Sequence, residues 1–243
     1  GITAAVSRDS IVLFQYPSMV SARYDGFVME HLKNICGAKV AVIVEDLGSR
    51  IAPSDYKQLS DEINLFNKAD LLIVQSTEME LYLKENGLKK MPVMYQRVWD
   101  YPYDFYLDEL EIDKKMDKIH DISMRHMLDI KKAGLALTAT TDWENKYGLM
   151  INPFETGFCI CACIPMIVPE QTNIADFVSR YGIGFVMSDG ENTDDVLNRI
   201  SDGDIAQAQE QEKKLAPAVA DGMFTKLMLQ EVVCRIIDNT CLI

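Results

Sequence analysis

Apolar and polar positions along this chain follow two alternating rhythms. Short apolar runs, rich in β-branched residues, occur at 11–17 (IVLFQYP), 38–44 (AKVAVIV), 70–76 (DLLIVQS) and 91–98 (MPVMYQRV). Three more follow at 135–140 (LALTAT), 165–168 (PMIV) and 183–187 (IGFVM), and each run predicts a buried strand. Between them, apolar residues recur every three or four positions. That spacing predicts helices over 23–36, 54–69, 78–87 and 172–182, and from 191 to about 201. Ser54, followed by an acidic turn, is the expected cap of the second helix. The tail from 203 to 239 reads as helix with a break near VADGMF. Strands and helices taken in turn predict an α/β fold with parallel sheets covered on both faces.

The pattern divides in two. The segment 99–110 (WDYPYDFYLDEL) is rich in aromatic and acidic residues and broken by Pro102, which marks a domain boundary. Residues 113–134 read as a charged helix or connector. The predicted organisation is one domain over 1–110, a second over 111–222, and a last helix over 223–243 that packs back on the first domain.

Charge narrows the function classes. The net charge of -13 disfavours a polyanion such as nucleic acid as a partner, although a local pocket can still take one phosphate group. No apolar run approaches the length of a membrane span, and no basic start leads into an apolar segment of the signal-peptide kind. The six cysteines fit a reducing compartment, since three crowd into one short stretch with poor disulfide geometry. The cytoplasm is the expected location.

That stretch, NPFETGFCICACIPMIVPE at 152–170, holds the most unusual chemistry. Cys159, Cys161 and Cys163 are two residues apart, and none of the three histidines lies nearby. A zinc site needs four converging ligands. The simpler reading is a tightly packed helix that takes small side chains. Its front edge differs: Asn152 suits an N-cap and Pro153 a first helical residue. A helix that starts there points free N–H groups towards the carboxyl edge of the sheet, an anion site and also the ordinary start of any α/β helix. Neither G-x-G-x-x-G after an early strand nor G-x-x-x-x-G-K-[ST] is present, which disfavours a Rossmann dehydrogenase or a P-loop enzyme. Nor is there a G-x-S-x-G elbow. Glu45 and Asp46 end the second strand, where they can serve as a general base or as plain helix caps. Trp99 and Tyr101 can stack a sugar ring or cover an interdomain hinge.

Several stretches together resemble a known family. SIVLFQYPS, YDGFVMEHLKN, VAVIVEDLGSR, NLFNKADLLIVQSTEMELYLKENGL and QRVWDYPYD resemble the first half of the bacterial glucosyltransferase 3-like family. AGLALTATTDWENKYGLMINPFETGFCICACIPMIV, ADFVSRYGIGFVM and DGMFTKLMLQEVV resemble the second half. The resemblance implies a GT-B fold, two Rossmann-like domains facing a cleft, the first on the acceptor side and the second holding the nucleotide sugar. It implies transfer of a hexose, glucose in that family, from a UDP-sugar to a GlcNAc-bearing glycoprotein or glycan. It implies no metal and no cofactor beyond the UDP-sugar donor, and a homo-oligomer. By resemblance, Asn152, Phe154, Glu155, Thr156, Gly157 and Phe158 border the donor. Gly48, Ser49 and Arg50 face the acceptor, with Asp46 or Glu45 as the proton acceptor.

The chain departs from the family pattern in places. The family's phosphate-contacting lysine falls on Glu155, its aromatic on Cys159 and its glycine on Cys163. A carboxylate about 4 Å from a phosphate opposes it by roughly 4 kcal/mol at an effective dielectric near 20, more than the roughly 0.3–1 kcal/mol a helix terminus supplies. The family also has a strand and a Gly/Ser/Thr-bearing loop before residue 1. Another strand, carrying Gly-Asn and a phosphate-binding arginine, stands where residues 111–132 stand here. No convincing strand is legible at 111–132, so a second sheet of about three strands is expected. These departures raise a second reading, a non-catalytic relative that binds a glycan or a partner and has lost the donor. A third is an unrelated α/β nucleotide-binding protein on the same scaffold.

Overall fold

The computed structural model describes residues 3–56, 58–96, 98–102, 136–137, 149–153 and 155–238. They form two compact units, one of residues 1–96 with 228–243 and the other of residues 97–227.

In the first unit β1 (Ile11–Tyr16), β2 (Lys39–Val44), β3 (Leu71–Val74) and β4 (Val93–Tyr95) form one parallel sheet in the order β1-β2-β3-β4. The register pairs Leu13 with Ala41, Ala41 with Leu71, and Leu72 with Val93. The two central runs are strands because their apolar residues are buried on both faces, as parallel sheets require. All of β3 is buried, and all of β2 except Lys39. β1 lies at the edge and alternates, with Phe14 and Tyr16 inside and Leu13 and Gln15 outside.

The helices between these strands start where side chains satisfy free N–H groups. Ser21 accepts from the Tyr24 amide at 3.2 Å and starts α1 (Ala22–Glu30), which continues as a π-helical turn at His31–Cys36. Ser76 caps α4 (Thr77–Glu85) through the Met79 amide at 2.9 Å. The expected helix over 54–69 is different. A short α2 (Gly48–Ile51) comes first, then a turn, and α3 spans only Leu59–Phe66 with Gln58 at its N-cap. Ser54 does not cap it. Its hydroxyl bonds the neighbouring Asp55 carboxylate at 3.1 Å, and the chain must turn here to carry Tyr56 into the core.

The second unit contains a three-stranded parallel sheet among the described residues, β5 (Ala136–Leu137), β6 (Met166–Pro169) and β7 (Gly184–Met187), in that order. α5 (Glu155–Ala162) joins β5 to β6, and α6 (Ala175–Tyr181) joins β6 to β7. α7 (Thr193–Arg199) and α8 (Asp202–Ala220) begin with reciprocal capping boxes, Asn192 with Asp195 and Ser201 with Asp204. The break expected in the tail falls at Asp221–Gly222, where Gly222 has φ +73, a left-handed backbone that stops α8 before α9 (Met223–Asp238). From Met228 onward α9 groups with the first unit, where Arg235 donates to the Val93 carbonyl at 2.7 Å. The charged segment 113–134 lies outside the described residues.

Candidate functional site

Two neighbourhoods carry the residues singled out from the sequence, one in each unit. In the first unit the carboxyl ends of β1, β2 and β3 bring polar groups together. Glu45 follows β2 and is held from three directions. Its amide donates to the Tyr16 carbonyl at 2.9 Å, the Gln15 side-chain amide donates to its carboxylate at 2.6 Å, and the Gln75 side-chain amide donates to its carbonyl. Asp46 is half-buried beside it. A half-buried carboxylate fixed by a neutral donor keeps its acceptor lone pairs and is suited to take a proton from a hydroxyl brought to this edge.

The following residues are ordered from below. Gly48 is buried under Tyr56, where an added Cβ would lie 2.4 Å from the ring. Ser49 is half-buried, while Arg50 is exposed, donates to the Tyr82 hydroxyl at 3.0 Å and lies 5.8 Å from the centre of that ring. Beneath them runs an interior network. The Tyr56 hydroxyl donates to the Asp25 carboxylate at 2.8 Å, and the Ser18 amide donates to the same oxygen at 3.2 Å. The Tyr16 hydroxyl donates to Glu62 at 2.8 Å, and the Tyr16 and Tyr56 rings meet edge to face at 5.9 Å. Burial, with Glu62 and Asp25 adding their negative fields, raises the Tyr16 phenol well above its usual range. Burial likewise drives the Tyr56 phenol up to about 12, so both stay protonated donors. Asp25 and Glu62 were not singled out from the sequence. The available signal was an acid on an apolar helix face, since Asp25 shares its face with the buried Met29 and Leu32.

In the second unit, Asn152 and Pro153 precede α5, and the Thr156 amide donates to the Pro153 carbonyl at 3.1 Å. Asn152, Thr156, Gly157 and Phe158 are all buried, whereas Glu155 is partly exposed. Phe154 lies outside the described residues. Phe158 meets Tyr101 edge to face at 5.4 Å within the unit's core. The Asp100 carboxylate accepts from the Phe224 and Thr225 amides at 3.2 and 2.5 Å, so the 99–101 segment is pinned at two points. Tyr101 and Asp100 are thus engaged in packing and capping. Cys159 and Cys161 pack in the same core. Cys159 is 4% exposed and burial pushes its thiol well above the usual range. Burial takes Cys161 up to about 12, and its sulfur sits 3.7 Å from the Tyr101 carbonyl. Neither ionises near neutral pH, so neither is a ready nucleophile or metal ligand.

The same helix touches a group the sequence did not flag. Glu212 of α8 is fully buried with neither carboxylate oxygen bonded among the described residues, and burial pushes it up to about 10. It is a neutral acid at neutral pH. Thr156 Oγ1 is also buried and unbonded among the described residues.

Each unit is thus a parallel α/β sheet with helices between its strands. A solved structure with this layout is sucrose-phosphate synthase from Thermosynechococcus elongatus, 13% identical, TM-score 0.51, covering 90% of this chain and 73% of its own. The profile described as "Glucosyltransferase 3-like, N-terminal domain" matches residues 1–98, and the one described as "Glucosyltransferase 3-like, C-terminal domain" matches residues 105–232. Glucosyltransferase 3 of Streptococcus gordonii is 24% identical over 280 residues, covering 98% of this chain and 83% of that protein. Glucosyltransferase 3 of Streptococcus parasanguinis is 20% identical over 273 residues, covering 98% and 82%. The chain therefore belongs to the glucosyltransferase 3-like family of glycosyltransferases. No helix among the described residues is long and apolar enough to cross a membrane.

Proposed function

We propose that this protein transfers a hexose from a UDP-sugar to a glycan or a glycosylated protein, with its two units arranged as a GT-B pair across a cleft. Family membership over both halves of the chain is the observation that carries this reading. The donor's diphosphate sits at the start of α5, by Asn152 and Glu155, where helix N–H groups face developing negative charge on the leaving group. Thr156, Gly157 and Phe158 shape that turn from the inside rather than touching the donor with their side chains. Gly48, Ser49 and Arg50 border the acceptor.

In the transfer step the acceptor hydroxyl gives its proton to Glu45 or Asp46 as its oxygen bonds the anomeric carbon, and the bond from that carbon to the UDP oxygen breaks. The Gln15 and Gln75 amides hold Glu45 in place for this. Neither a metal nor another cofactor is part of the scheme. A homo-oligomer and a cytoplasmic site belong to the same proposal. The test is release of UDP from UDP-glucose in the presence of a GlcNAc-bearing peptide. Acceptor-dependent release that Glu45→Gln or Asp46→Asn lowers by about 100-fold or more supports the reading. No acceptor-dependent release with any common UDP-hexose overturns it.

A further inference from the structure

We propose a second carbohydrate-binding site in the groove between α8 and the junction of α6 with β7, a cavity of about 420 Å³. It lies beside the first residues of β7, hence at the amino-terminal edge of the second sheet. The start of α5 belongs to the carboxyl edge, so the groove is separate from the donor neighbourhood.

One wall is a single face of α8, with Asp204, Gln207 and Gln211 at helical spacing. The other is Arg180 and Tyr181 at the end of α6, with Phe185 of β7 beside them. The volume falls in the usual range for small-ligand sites. The side chains are available for a ligand. Arg180, Gln207 and the Tyr181 hydroxyl make no hydrogen bond among the described residues. Asp204 commits Oδ2 to Ser201 and keeps Oδ1, and Gln211 commits its oxygen to Lys214 and keeps its NH₂. Tyr181 is 47% exposed, and its ring is steadied by Phe177 at 4.6 Å between centroids.

The chemistry of the wall selects the ligand. A carboxylate at one end opposes a phosphate, and a guanidinium opposes a metal ion. Two amides, one carboxylate oxygen, one guanidinium and a phenol present donors and acceptors in mixed order. That suits vicinal hydroxyls, each of which gives and takes a hydrogen bond. The open ring of Tyr181 offers an apolar face for the C–H side of a pyranose. A neutral saccharide satisfies all of these groups together. Such a site would hold a glycan-bearing substrate away from the reacting centre and raise its effective concentration there.

The experiment is saturation-transfer NMR of the whole protein with methyl glucoside, N-acetylglucosamine and cellobiose, with and without UDP. The expected result is transfer to at least one saccharide that UDP does not suppress, reduced about tenfold by Tyr181→Ala and by Gln207→Leu. Gln207 is exposed, so its variant keeps the test valid should Tyr181→Ala fold poorly. Absence of transfer to all three, transfer abolished by UDP, or transfer unchanged in both variants overturns the proposal. Because UDP binding and sugar transfer are read separately, failure of the donor-site reading leaves this result interpretable on its own.

Discussion

An added methyl group on Gly157 would lie 2.3 Å from the carbonyl oxygen of Trp99, so the side of α5 at Gly157 rests on backbone with no room for a side chain. This contact holds the 99–101 segment against the helix that the proposal places under the diphosphate. Gly157→Ala must push one of them away. The expected cost is about 1–3 kcal/mol of stability, read from urea unfolding, together with weaker UDP binding. An unchanged unfolding midpoint would show that the segment yields without cost.

Glu212 gives stability an unusual pH dependence. The folded protein holds its proton up to about 10, while the unfolded chain releases it near the ordinary carboxylate value of 4.5. Between these limits the native state binds a proton that the unfolded state lacks. Rising pH therefore favours unfolding through this group, by at most about 1.4 kcal/mol per pH unit. Glu212→Gln removes that contribution. Unfolding series between about pH 6 and pH 9 should show a flatter profile in the variant and higher stability at the alkaline end. Parallel profiles would mean that Glu212 is ionised in the folded protein.

The interior Asp25–Tyr56 bond ties α1 to the residues beside Gly48. Tyr56→Phe leaves the Asp25 oxygen with the Ser18 amide alone. The expected loss is about 1.5–3 kcal/mol, because the acceptor is a carboxylate in the core. A second readout is the KM for acceptor, expected to rise more than kcat falls, since the Gly48–Arg50 turn rests on that ring.

Much of the fold was legible because of how parallel sheets are buried. All seven predicted strands are present, and the most deeply covered, β2, β3 and β6, read as unbroken apolar runs. The break at Gly222 was equally plain. The start of α3 was not, because Ser54 and its acidic neighbours look like a cap, and only the tertiary demand for Tyr56 in the core moves the helix onward. At the acid-bearing edge, Glu45 and Asp46 were readable as polar residues ending a buried strand. Their supports were not: Gln15 reaches Glu45 across 30 residues and Tyr16 reaches Glu62 across 46, and no local pattern records such pairs. The same holds for Glu212, whose burial against α5 comes entirely from helix packing.

Gln15 offers a separate test of the general-base assignment. Among the described residues its side chain hydrogen-bonds the Glu45 carboxylate, from an exposed position on the edge strand. Gln15→Leu should lower kcat by about tenfold, less than the loss from Glu45→Gln, and leave KM for the donor unchanged. Equal activity in Gln15→Leu and the parent would show that Gln15 does not position the base.

In the proposed donor site Glu155 takes the place where a cation would best serve a diphosphate, and it is the partly exposed member of the α5 start. Calorimetric titration of the intact protein with UDP, beside the Glu155→Lys variant, tests the donor site most directly. The account predicts saturable binding with a Kd below about 1 mM, and about tenfold tighter binding in the variant as repulsion becomes attraction. No heat of binding in either protein, or the same affinity in both, would contradict it.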